Sequence, residues 1–577
     1  MSAARPPGPL LRAGFSQLWL SARDWPPSEG TWLSVIRRSA VVAVFMVIGL
    51  TTGNLVAGIG AAFGALQMGL MEAAVPLRRL FWLLALNVTA LAATAFAASA
   101  LGGTWWTPVL LGGIALMQGS TLSAGMIPGN TFIGLLSIGV IFAAVPRGVV
   151  DAGVAAASVA VGALAQTMVW LLVWKLDRKL FVRRALANGL RVTRRMLNQN
   201  PGDARFMTMA STEPERILSI LESSGVSSAL LAEAQAVSVA TSEVRRSVIS
   251  WMVLHNPSAA EKQRLAVHLD QLTAVLDDVP GRPIARLGGY TFSAHPDWAC
   301  DHALAADLAD LERTISAYRT AEHKRAPDTR PPPTNELAAT LKSLSAANPN
   351  LHYGIRMASA IAVGQAITLV VDVAHSFWVP LTIVFVLKPD WSFTAVRTVG
   401  RIAGNLAAVL IVPFALTLAG SQIWAFALLM FVLAVIMYRY FTGNYIAACL
   451  GLAGSVLVLD EVLTPDDSLY AARFIATVVG TILALVFSLI VPTWRSAHSP
   501  RYLTQTVAAL RTWTAATMQA LVSPDSCSPS ELRGAGANAR RALYPLRSTA
   551  EAAMLEPVGR IDRTALRAQS LPPKEST

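Results

Sequence analysis

Long apolar stretches recur along this chain in two groups, one from Leu33 to Trp174 and one from Leu351 to Trp494, with a polar segment between them. A stretch of about twenty apolar residues crosses a bilayer core of about 30 Å as a helix, because hydrocarbon offers no water to satisfy backbone polar groups. With 54% hydrophobic and 14% charged residues among 577, the chain is more apolar than a soluble enzyme of its size. The expected fold is an all-α polytopic membrane protein.

Basic residues set the expected topology, since loops rich in Lys and Arg stay in the cytoplasm. Residues 1–32 read as a cytoplasmic N-terminal segment, with Trp19, Trp25 and Trp32 as headgroup anchors. They hold no continuous apolar region with a small-residue cleavage site, so no cleaved signal peptide is expected. A first transmembrane block over 33–174 holds spans at about 33–50, 55–71, 80–100, 107–122, 131–144 and 149–174. Arg37 and Arg38 are expected to snorkel, and Arg78 and Arg79 mark a cytoplasmic loop. Eight basic residues against one acid between Lys175 and Arg195 return the chain to the cytoplasm.

Residues 175–350 read as a helical cytoplasmic domain and linker. Apolar residues recur there every three or four positions, and Pro331 to Pro333 lie in the linker. A second transmembrane block over 351–494 opens with a hairpin, Met357–Val371 and Phe377–Leu387. Spans at about 401–418, 422–437, 445–459 and 472–490 follow, then a cytoplasmic tail over 495–577 with short helical runs. Two six-helix blocks, about 12 spans, share one orientation. This suggests a parallel duplication with pseudo-two-fold symmetry about the membrane normal and a site between the halves.

Polar residues inside or beside the spans are the candidates for function. Arg397, Arg401 and Asn405 follow at i, i+4 and i+8, one stripe if the connector before span nine is already helical, and guanidinium groups bind carboxylates bidentately. Arg356 opens span seven at its cytoplasmic end. Arg473 opens span twelve on the outer side, where topology does not call for a cation, although Asp460 to Asp467 offer partners nearby. Asp372 and His375, at i and i+3, form a candidate proton-coupling pair, because a carboxylate raises an imidazole toward physiological pH. Trp378 stands beside them as a belt residue or a stacking platform for a substrate.

Arg356, His375 with Trp378, Thr382, Pro389, and Arg401 with Gly404 together resemble the fusaric acid resistance (FUSC) family of bacterial membrane proteins. Asn405 departs from that pattern, where Thr is more usual, and the first block has no His-x-x-Trp turn. The resemblance implies a transporter of the cell membrane that exports small aromatic or other carboxylic acids, driven by membrane potential or a proton gradient. A distant likeness to plant anion channels keeps a channel-like pathway open. A membrane-anchored scaffold acting through its cytoplasmic helical domain is the alternative of another class.

No catalytic residues are expected, as the chain lacks a Gly-x-Ser-x-Gly elbow, a His-Glu-x-x-His helix and a P-loop. Cys300, Cys449 and Cys527 have no metal-ligand spacing, so neither a metal nor a cofactor is expected. The formal charge of +12 sits beside apolar spans, which fits anionic lipid and topology rather than nucleic acid. The expected partners are small organic anions and the lipid bilayer, with a homo-oligomer or an accessory transport subunit left open.

Overall fold

The structure is a computed structural model that describes residues 32–72, 77–121, 126–144, 148–199, 228–277, 302–323, 350–371, 375–389, 391–419, 422–441, 444–463, 469–490 and 499–523, with a few isolated positions besides. The described residues are helical throughout, with no strand. The first apolar block contains α1 (Trp32–Thr52), α2 (Leu55–Leu70), α3 (Leu77–Leu101), α4 (Trp106–Ser120), α5 (Met126–Ala143) and α6 (Val149–Met196). Three polar helices follow, α7 (Ser228–Leu254), α8 (Ala259–Asp277) and α9 (His302–His323). The second apolar block holds α10 (Leu351–Val370), α11 (Trp378–Val386), α12 (Trp391–Ala419), α13 (Ile423–Tyr440), α14 (Tyr445–Leu463) and α15 (Leu469–Ile490), and α16 (Ser499–Val522) comes last.

A helix thus stands at each expected span. Seven are long and apolar enough to cross a membrane: Trp32–Thr52, Leu83–Leu101, Val149–Val173, Leu351–Val370, Arg397–Leu418, Ile423–Tyr440 and Leu469–Ile490. Leu55–Leu70, Thr131–Ala143 and Tyr445–Leu459 are apolar but shorter. The protein is a multi-pass membrane protein. Its outer faces carry the side chains lipid requires: Leu410, Phe414 and Leu418 make one exposed ridge on α12, and Trp105 and Trp106 project at the start of α4.

Local sequence sets several helix ends. The Asn54 side chain accepts a hydrogen bond from the Ala57 amide at 3.2 Å to start α2, and the Asn444 side chain accepts from the Ala447 amide at 3.0 Å to start α14. Ser258 and Glu261 form a reciprocal capping box at α8. Those hydrogen bonds hold the Glu261 carboxyl below its ordinary range.

Within the first block, α2 packs on α6 and α1, α3 on α6 and α5, and α4 on α5. The second block repeats these pairs: α11 on α15 and α10, α12 on α15 and α14, and α13 on α14. Contacts between the blocks are reciprocal. The first helix of one block packs on the fourth helix of the other, α1 on α13 and α10 on α4, and the second packs on the fifth, α11 on α5 and α2 on α14. The α4–α10 crossing is very close, since a Cβ added at Gly119 would lie 2.3 Å from the Gly354 Cα.

The structure departs from the sequence reading at three elements. α6 does not stop near Trp174 but continues for 48 residues, about 72 Å, into the basic segment. Its second half joins α7, α8 and α9 in a separate apolar core through Val182, Leu186 and Leu190. There Arg183 Nε donates to Glu322 at 2.9 Å, with both side chains buried. α16 is one 24-residue helix rather than several short runs. Third, α11 has only nine residues, about 14 Å, and all nine are buried.

Candidate functional site

α11 is too short to cross a bilayer alone, and α5, α10, α12 and α15 surround it. His375, just before its first turn, has a left-handed φ of 61°, and the helix begins at Trp378. Broken helices of this kind are tolerated at membrane depth only when buried in protein.

α12 begins at Trp391, so the connector is helical and Arg397, Arg401 and Asn405 share one stripe as the spacing requires. Arg397, nearest the helix start, lies over the Tyr445 ring at 4.3 Å. Arg401 is fully buried, 5.2 Å from the Phe385 ring centroid, with Nη1 3.9 Å from Cys449 Sγ. Its Nε and Nη2 have no hydrogen-bond partner among the described residues. These two nitrogens form the side of a guanidinium that grips a carboxylate with two parallel hydrogen bonds.

One turn further, Asn405 Nδ2 donates to Thr477 Oγ1 on α15 at 2.6 Å, while Asn405 Oδ1 has no partner among the described residues. Thr477 in turn donates to the Arg473 carbonyl at 2.8 Å. Arg473 is fully buried, with its guanidinium carbon 3.2 Å from the centre of the Trp378 ring. The pairing of Asn405 with Thr477 on antiparallel helices puts Arg401 one turn to one side and Arg473 one turn to the other, about 12 Å apart along the bundle. Thr382 on α11 and Thr481 on α15 add buried hydroxyls that lack partners among the described residues. The result is a buried polar column with two cations, and Arg401 has no ion pair among the described residues.

Four of the candidates, Arg401, Asn405, Arg473 and Trp378, therefore come together, all on second-block helices. Trp378 acts as a support for Arg473. Its ring is fully buried and also stacks on Phe377 at 4.7 Å, so no face is open for a flat substrate. Arg356 stands apart from the column, donating to the carbonyls of Lys388 and, at 2.7 Å, Pro389 just past the end of α11, and lying 5.2 Å from the Tyr353 ring. A cation at that point satisfies carbonyls that the short helix leaves open. His375 lies 6.4 Å from Phe377, and Asp372 falls outside the described residues, as do Asp466 and Asp467. Glu461, in the same acidic run, accepts from Tyr470 at 3.0 Å.

One cluster escaped the sequence reading. Arg37 does not snorkel but is buried, gripping Glu72 with bonds of 3.0 and 2.7 Å. Arg38 approaches the same carboxylate at 2.8 Å, and Gln166 of α6 donates to it at 3.0 Å. This cluster ties α1, α2 and α6 together. Its signal in the sequence was the Arg pair at one end of a hairpin and a lone acid at the other.

Residues 360–487 match the family model described as fusaric acid resistance protein-like, so the family resemblance is borne out over the segment that holds the column. An uncharacterised protein of Synechocystis sp. is 29% identical over 142 residues, 24% of this chain and 18% of that protein. The inner membrane protein YccS of Escherichia coli is 27% identical over 156 residues, 26% of this chain and 21% of that protein. Each match thus spans about a fifth of the relative's own length. No solved structure gives a significant match.

Proposed function

We propose that the protein is an inner-membrane transporter that moves small organic anions, aromatic or other carboxylates, outward. The observation that carries this is Arg401, a fully buried cation whose carboxylate-gripping edge, Nε and Nη2, has no partner among the described residues. Burying a charge in a membrane is costly, and such residues mark substrate or ion paths. Asn405, Thr477 and Arg473 continue polar chemistry from Arg401 along the bundle. The likeness to fusaric acid resistance proteins over the same helices favours export. With a negative interior, moving one negative charge outward is favourable by about 2.3 kcal/mol per 100 mV, so ATP is not required.

The same reading has the chain cross the membrane twelve times, as two parallel six-helix units with both termini inside and α7 to α9 in the cytoplasm. Matching helix pairs within the blocks and reciprocal pairs between them support the duplication. Equal sequence separation relates Arg38 to Arg356, Glu72 to Asp390, Arg79 to Arg397, Asn87 to Asn405 and Ser137 to Ser455. It also relates the close approaches of Gly162 to Ala61 and of Gly480 to Val379.

Efflux of radiolabelled benzoate and related carboxylates from proteoliposomes under an imposed potential tests the function. Potential-dependent flux that falls at least tenfold in Arg401→Ala, with folding intact, is expected. Absence of flux for every carboxylate in the folded native protein would sink the proposal in favour of a scaffold acting through α7 to α9.

A further inference from the structure

The two copies differ where the column lies. Carried across by the same separation, Arg401 corresponds to Leu83, Arg473 to Ala155, Thr477 to Val159 and Thr481 to Ala163. Trp378 and Thr382 correspond to Gly60 and Gly64. The first copy keeps only the asparagine, Asn87, and there its side-chain oxygen is occupied by the Thr131 hydroxyl at 3.1 Å. Ala155, Val159 and Ala163 are fully or almost fully buried.

The contacts differ as well as the polarity. A Cβ added at Gly64 would lie 2.1 Å from the Val159 carbonyl oxygen, and one at Gly60 2.6 Å from Ser158 Oγ. α2 and α6 therefore meet backbone to backbone, with no room between them for a hydrated ion. In the second copy α11 and α15 are also close, since a Cβ added at Gly480 would lie 2.6 Å from the Val379 carbonyl oxygen and 2.8 Å from the Thr382 Cβ, but here the side chains of Trp378 and Thr382 make the contact, on Arg473 and on Gly480.

We infer that the anion path lies wholly within the second six-helix unit, along the buried Arg401–Arg473 column, while the first unit, whose corresponding positions are apolar, serves as a frame. This rests on the transporter reading and goes beyond it, because a duplicated transporter ordinarily has its site at the interface of the repeats. The chain then holds one carboxylate path, lined by Arg401, Asn405, Thr477 and Arg473, rather than a path shared by both halves.

Cys449 provides a native probe, since its buried thiol faces Arg401 in the second copy and its counterpart in the first is Thr131. In full-length protein in liposomes, with Cys300 and Cys527 replaced by serine, a small anionic methanethiosulfonate (the ethylsulfonate) and the uncharged methyl compound are applied. Cys449 is expected to react at least tenfold faster than the cysteine of Val159→Cys in a Cys449→Ser background, a first-copy position that is equally buried. Arg401→Gln is expected to slow the anionic reagent more than the neutral one. Similar rates at the two positions, or no modification of Cys449 by either reagent, would overturn the inference. Benzoate protection of Cys449 supports it together with the transporter reading. Reaction at Cys449 alone that benzoate leaves unchanged keeps the path in the second unit and refutes the carboxylate reading.

Discussion

Replacing Arg401 with methionine is expected to stabilise the anion-free protein while destroying its response to anions. Methionine keeps the length of the side chain and removes the charge. A cation at the centre of a membrane helix costs about 2.5–3.5 kcal/mol on insertion scales. The Phe385 ring, 5.2 Å away, offsets about 1–2 kcal/mol of that in a desolvated site. The contact of Nη1 with Cys449 at 3.9 Å is long and weak and adds little. The balance leaves the native arginine about 0.5–2.5 kcal/mol worse than methionine until a carboxylate arrives. Thermal unfolding in detergent, with and without benzoate, measures both effects. The native protein gains about 1.4 kcal/mol at ten times Kd, raising Tm, and Arg401→Met gains nothing. A methionine variant less stable than the native protein without anion would refute the reasoning, because it would mean protein groups already compensate the cation.

Other perturbations probe the frame. Gly119→Leu places a side chain where even a Cβ would meet Gly354 at 2.3 Å, so the α4–α10 crossing should open at a cost of about 1–3 kcal/mol, read as a lower Tm and faster proteolysis between the blocks. Arg183→Ala strips the buried Glu322 of its main partner, leaving Arg319 at 3.7 Å, and should cost about 3–5 kcal/mol in denaturant unfolding of the α6–α9 bundle. A loss below 1 kcal/mol would mean water reaches that carboxylate. Burial pushes the His268 imidazole down from 6.5 to about 4, so the neutral form is favoured in the fold. The bundle should therefore hold its full stability above pH 6.5 and lose it as pH falls toward 4, seen as faster hydrogen exchange in α8. His268→Gln should flatten that dependence, and an unchanged slope would refute the assignment, because Glu312, 3.1 Å away, whose carboxyl burial pushes up, adds stability rather than losing it as pH falls.

Much of the site was visible in advance because it lies on one regular helix. The i, i+4, i+8 spacing of Arg397, Arg401 and Asn405 needed only that the connector be helical, and α12 starts early enough at Trp391 to satisfy it. Arg473 was harder. Its neighbours in sequence are acidic and suggested a surface pair, but α15 turns it inward onto the fully buried Trp378 at the start of α11. Arg37 and Arg38 misled for a related reason: basic residues at a span's end ordinarily reach for headgroups, and nothing local indicates that Glu72, thirty-five positions from Arg37, is folded against them.

The amino-acid sequence by itself determined the helices, their membrane setting and the grouping into two blocks around a polar bundle. Apolar length and the distribution of basic residues act locally, on each segment's own transfer between water and lipid. Tertiary structure alone decided which cations are buried together, and that the polar column belongs to one block instead of the boundary between two. Those outcomes depend on which side chains meet where helices approach, and a glycine such as Gly64 or Gly480 permits a close approach only once the opposing helix is in place.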